Sequence, residues 1–150
     1  MMTRSLRLTG FFMLAIAVAP RSGVAQSAAD SAAIRATALD YVEGWYTGDT
    51  TRMARAVHPD LVKRIVQSGP DGRSRIDQMD AARLVANVAR GGGKNTPPER
   101  QQKDVAILDI FQNAASVRAT MSGWIDYMQM ARFNGRWVII NVLWELKPRG

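Results

Sequence analysis

The stretch Phe133-Asn134-Gly135-Arg136-Trp137-Val138-Ile139-Ile140-Asn141-Val142-Leu143-Trp144 decides the fold. Asn and Gly tolerate the left-handed torsions of a two-residue type I′ turn, so Asn134-Gly135 predicts a hairpin and sets the pairing of its strands. Uninterrupted pairing outward from the turn puts Trp137, Met130, Ile139, Met128, Asn141, Asp126, Leu143 and Trp124 on one face. Ala131, Val138, Gln129, Ile140, Tyr127, Val142, Ile125 and Trp144 fall on the other. Both faces are too apolar to stay in water, so helices should cover one and a second subunit the other.

Working upstream, a strand from Val105 to Phe111 should turn at Asn113-Ala114 and return from Ser116 toward Ser122. That register sets Asp109 across from Arg118, Leu108 from Ala119 and Ile110 from Val117, with Gly123 as a bend or bulge. Helical periodicity marks the first half of the chain. Ile34, Ala38, Tyr41, Val42 and Trp45 form the stripe of a helix from Asp30 or Ser31 to Thr47, ended by Gly48. Asp49 can cap a short helix over Thr51 to Val57, which Pro59 stops. Asp60 to Val66 reads as helix or strand, and Gly69-Pro70-Asp71-Gly72 as a turn. Asp80 can cap a helix from Ala81 to Arg90 that stops at Gly91-Gly92-Gly93. The following Lys94-Asn95-Thr96-Pro97-Pro98 reads as a solvated loop, with a lid beside a cavity as the alternative, and GGGKNT lacks the GxxxxGK[ST] spacing of a phosphate loop.

Arg4 and Arg7, the apolar run from Gly10 to Ala19, and the small residues Gly23-Val24-Ala25 predict a cleaved secretion signal over residues 1–25 and a periplasmic or secreted protein. The run is too short to span a bilayer, and no stable membrane insertion is expected. Cleavage after Ala25 leaves one domain, residues 26–150, and takes the net charge from +7 to +4 by removing Arg4, Arg7 and Arg21. The remaining cations are scattered among acids, which argues against nucleic acid as a partner. The chain has no cysteine and one histidine, which excludes thiol catalysis and leaves no recognisable metal-ligand spacing; no cofactor is expected.

His58-Pro59-Asp60-Leu61 after a short helix, Met79-Asp80 before another, and the stretch NAASVRATMSGWIDYMQMARFNGRWVIINVLWELK together resemble the putative lumazine-binding family of the nuclear transport factor 2-like (SnoaL-like) superfamily. The resemblance runs from about Ala32 to Lys147. It implies an α+β fold, cone-shaped, with N-terminal helices packed on a strongly curved antiparallel sheet and a pocket at the wide end. It also implies pairing of two copies through their sheets. Superfamily members include isomerases, dehydratases and polyketide cyclases as well as proteins that only bind, so the family name does not assign lumazine as a ligand.

With helices over the face carrying Trp124, Asp126, Met128 and Asn141, the residues Tyr41, Trp45 and His58 are expected to meet them across a cavity. Trp45, Trp124, Met128 and Asn141 then form a ligand-binding wall. Asp126 on an apolar face suits a general base, with Tyr41 or His58 donating to an oxyanion or carrying a proton. The alternative is that Asp126 only bonds Asn141 or the backbone. The leading reading is non-catalytic binding of a small apolar or aromatic molecule in the cone pocket. A cofactor-independent isomerase, dehydratase or cyclase is second, and a structural dimerisation module third.

Overall fold

The computed structural model describes residues 22–148, and the expected leader lies outside the described residues except for 22–25. Those four open a 26-residue helix α1 (Ser22–Thr47), longer than the periodicity predicted. Its buried side chains Ile34, Ala38, Tyr41, Val42 and Tyr46 recur at helical spacing along one face. Gly48, at φ +70°, ends it in the left-handed conformation that glycine adopts without strain. The Asp49 side chain accepts from the Arg52 amide at 3.0 Å and starts α2 (Thr50–Ala56).

At Val57 the chain turns extended and enters β1 (Val57–Ser68), which resolves the ambiguous segment in favour of strand. Strand β2 (Ser74–Asp80), which sequence reading did not anticipate, pairs with β1 antiparallel. Asp80 then caps α3 (Ala81–Ala89), its side chain accepting from the Arg83 amide at 2.8 Å. After the Gly91–Gly93 loop come β3 (Asp104–Phe111), β4 (Ala114–Thr120), β5 (Trp124–Phe133) and β6 (Arg136–Leu146).

The six strands order as β2-β1-β6-β5-β4-β3. This corrects the expected architecture in two respects. The sheet is mixed, because β1 runs parallel to β6. It is also open, with β2 and β3 as free edges, and is not strongly curled, so the helices do not fill a cone. Gly123, expected as a bend that lets a long strand curve around a cavity, lies instead in the connection between β4 and β5, and the helices lie as a layer on one face, α1 across β3, β4 and β6 and α3 against β1.

The β5–β6 hairpin turns where expected, with Asn134 at φ 50° and Gly135 at φ 77°. Pairing follows the uninterrupted register as far as Met130 with Ile139, then Ile140 bulges and Gln129 pairs with Asn141. One extra residue reverses every β6 side chain beyond it. Val142 and Trp144 point under the helices, and Asn141 and Leu143 point away, opposite to the predicted faces. Val142 is fully buried core and so belongs to no outer interface. The β3–β4 register also differs, with Asp109 opposite Ser116 and Ala106 opposite Arg118, because the turn sits at Gln112-Asn113 and a further irregularity falls between Ile107 and Asp109.

Candidate functional site

Strand alternation on β1 buries Leu61, Lys63 and Ile65 beneath the helices. Lys63 is thus a lysine on an inward position, and its surroundings are arranged around the ammonium. Its Nζ donates to Oδ1 of Asp126 on β5 and, at 2.7 Å, to the Tyr41 hydroxyl on α1. The same nitrogen lies 5.0 Å from the ring centroid of Trp144 on β6, a cation–π distance. The other Asp126 oxygen, Oδ2, accepts from the Trp124 indole Nε1 at 3.0 Å. Lys63, Asp126 and Tyr41 are 5%, 0% and 2% exposed, so the cluster is out of bulk water.

Burial pushes the Lys63 ammonium below the ordinary lysine value, against the opposing pull of the Asp126 carboxylate. Burial, followed by the negative charge of Asp126, pushes the Tyr41 phenol well above its ordinary value, so the hydroxyl is neutral across the physiological range.

Beside this cluster is a slot of about 220 Å³. Its walls are Tyr41 and Trp45 from α1, Leu84 and Asn87 from α3, Met79 from β2, Lys63 from β1, Trp124 from β5, and Trp144 and Leu146 from β6. The three tryptophans meet edge to face, Trp45 with Trp124 at 5.5 Å and Trp124 with Trp144 at 6.3 Å. Leu146 is 52% exposed. The glycine loop fixes the Trp45 wall: the Gly93 amide donates to the Trp45 carbonyl at 2.9 Å, and a Cβ on Gly93 would fall 2.5 Å from the indole nitrogen. The glycines read as the stop of α3 thus also pack on the site. A larger depression of about 720 Å³ lies on the other side of Trp124, lined by Asn95, Thr96, Glu99, Arg100 and Lys147, but it is an open surface groove away from the buried ionic cluster.

Of the residues proposed from sequence, Tyr41, Trp45 and Trp124 line the slot and Asp126 stands behind it. Met128, 1% exposed, is packed in the core. Asn141 lies on the opposite face of the sheet, where it accepts from Arg64 Nη1 at 2.9 Å and donates to Gln129. His58 does not meet Asp126. Its ring packs against Phe133 at 4.5 Å and its Nδ1 accepts from the Asp60 amide. Phe133 is seven residues along β5 from Asp126, roughly 20 Å at the rise of a strand. Sequence reasoning missed Lys63 and Trp144. Among the described residues no group of three or more His, Cys, Asp or Glu could hold a metal ion, and no helix is long and apolar enough to cross a membrane.

The fold is similar to that of solved proteins described as NTF2-like. An NTF2-like protein of unknown function from Shewanella baltica OS155 superposes with a TM-score of 0.62 at 22% identity, covering 81% of this chain and 97% of the other. One from Silicibacter pomeroyi DSS-3 gives 0.62 at 15% identity over 81% and 98%. One from Methylobacillus flagellatus KT gives 0.59 at 18% over 80% and 94%. At these identities the likeness shows the fold alone. Residues 29–145 match the model of the family described as "Putative lumazine-binding", and the chain belongs to that family. No curated protein matches it.

Proposed function

We propose that this protein binds one small, flat, mostly apolar molecule with a hydrogen-bond acceptor, in the slot between α1, α3 and the β1–β6–β5 end of the open sheet. The observation that carries the reading is the buried Lys63–Asp126–Tyr41 cluster against an otherwise apolar wall. Replacing a buried ion pair by apolar residues of similar volume is often neutral or stabilising, so the pair is a poor choice for stability. Standing directly behind the apolar lining of the slot, the Lys63 ammonium favours a ligand that turns an acceptor toward it. A dry cavity of about 150 Å³ holds benzene, so 220 Å³ suits one ring with a small substituent. The expected leader supports a periplasmic or secreted location for this binding.

Benzamide and toluene separate the parts of the reading. Tryptophan fluorescence should respond to benzamide more strongly than to toluene at equal concentration, and Trp144→Ala should weaken benzamide binding at least about tenfold by opening the wall. Equal response to both compounds, or unchanged affinity in Trp144→Ala, would contradict the reading.

A second feature supports homodimerisation through the sheet face that the helices leave bare. Val66, Ile76, Tyr127, Ile140 and Leu143 are each at least 40% exposed on it, a patch that water disfavours and a second copy would cover. Leu143→Lys should halve the mass measured by light scattering; an unchanged mass would reject this face.

A further inference from the structure

The Lys63 side chain forms part of the wall of an apolar slot, its amine stands directly behind that wall, and ligand binding alone leaves its reactivity unused. We propose that Lys63 captures small aldehydes reversibly as an imine, with Asp126 relaying the protons; this rests on the slot being a ligand site. Three observations converge on it. The Lys63 nitrogen is held between the Asp126 carboxylate, the Tyr41 hydroxyl and the Trp144 ring, so its position is fixed before any carbonyl arrives. Asp126 is in direct contact with the amine and is fully buried, so a proton passed to it stays beside the reacting atoms. The slot beside the amine is lined by three tryptophans and other apolar side chains, a setting that favours the dehydrated imine over its hydrolysis.

The step balances within these residues. The Lys63 ammonium gives a proton to Asp126, and the freed nitrogen lone pair adds to the carbonyl carbon. The carbonyl π pair moves to oxygen, which takes the proton from Asp126. Asp126 then accepts a second proton from nitrogen and returns it to the hydroxyl, which leaves as water. The product is an iminium paired with the Asp126 carboxylate, so the sum is ammonium plus aldehyde giving iminium plus water. Burial supports the first transfer, because it disfavours the charged amine. Lys94 and Lys103 are exposed and Lys147 is half-buried, so none of them shares this environment.

Benzaldehyde with cyanoborohydride tests the proposal, followed by intact mass and peptide mapping. One reductively trapped benzyl group should map to Lys63 at least about tenfold ahead of Lys94, Lys103 or Lys147. Excess benzamide, of the same shape but unreactive, should suppress it. Asp126→Asn should slow trapping about tenfold or more when rates are compared at saturating benzaldehyde, so that any loss of binding does not contribute. Benzamide binding together with labelling confined to the exposed lysines would overturn the imine and leave the slot reading intact. If benzamide does not bind either, the slot reading has failed and the imine falls with it. Lys63→Met should abolish the adduct, and the wild-type map with benzamide competition decides the matter even if that variant does not fold.

Discussion

The two ends of the β5–β6 hairpin lie under the same helix layer and are built differently. At the turn end, Met130, Trp137 and Ile139 pack with Val42 and Met53, each at most 3% exposed, and the Trp137 indole donates at 3.2 Å to Asp30, which pairs with Arg132. At the open end, Lys63, Asp126 and Tyr41 place charge and hydroxyl against three tryptophans and a slot. The turn end keeps its ion pair at the rim of a close-packed core. The open end gives up close packing for a polar cluster out of water, and the division falls at the Ile140 bulge, which turns Val142 and Trp144 inward.

Breaking the charge balance at the open end should have the largest effect. Asp126→Ala leaves the Lys63 ammonium buried without its partner and should cost about 3–5 kcal/mol of unfolding free energy by chemical denaturation. At the turn end, Ile139→Ala should cost about 2–5 kcal/mol through transfer and cavity terms, with benzamide binding retained. Together the two variants distinguish a region whose loss removes function from one whose loss removes only stability.

A pH titration sharpens the contrast. The folded state holds Lys63 below its ordinary value of 10.5. Over the window between its folded value and 10.5 the unfolded chain binds more protons, so this group makes stability rise with pH. The rise should be present in the wild type and absent from a variant lacking Lys63. The smallest effect belongs to neither end. Asp40 on α1 pairs with Arg52 and Arg55 of α2 at 3.0 and 2.8 Å. The Arg55 hydrogen bond leads in holding its carboxyl below the ordinary value of 3.8, against partial burial. Asp40→Asn should cost about 1 kcal/mol or less at pH 7. That difference should vanish as acid protonates the wild-type carboxyl below pH 3.8.

Local chemistry made much of this legible. Asn134-Gly135 forms its turn, Asp49 and Asp80 cap their helices, and Ile34, Ala38, Tyr41 and Val42 form the stripe of α1, with Tyr46 buried where Trp45 is expected and Trp45 only partly buried. Tyr41, Trp45 and Trp124 line the slot and Asp126 adjoins it. The bulge was not legible because Val138, Ile139, Ile140, Val142 and Leu143 are all apolar, so a slip of one residue leaves the pattern satisfied on either face. That degeneracy put Asn141 in the site and left Trp144 out. Leu61, Val62, Ile65 and Val66 also fit a helical spacing, which hid Lys63; reading Leu61, Lys63 and Ile65 as alternate strand positions would have placed the lysine inward. β2 was missed because its side chains are mostly exposed and show no apolar alternation.

The central claim is that the Lys63–Asp126 pair is kept for the slot and not for the fold. The double variant Lys63→Met/Asp126→Leu tests it most directly when denaturant stability and benzamide binding are measured on the same sample. Stability equal to or above wild type, with binding weakened at least about tenfold, is the expected result. Stability lower by several kcal/mol with binding unchanged would contradict the claim and make the pair a folding element.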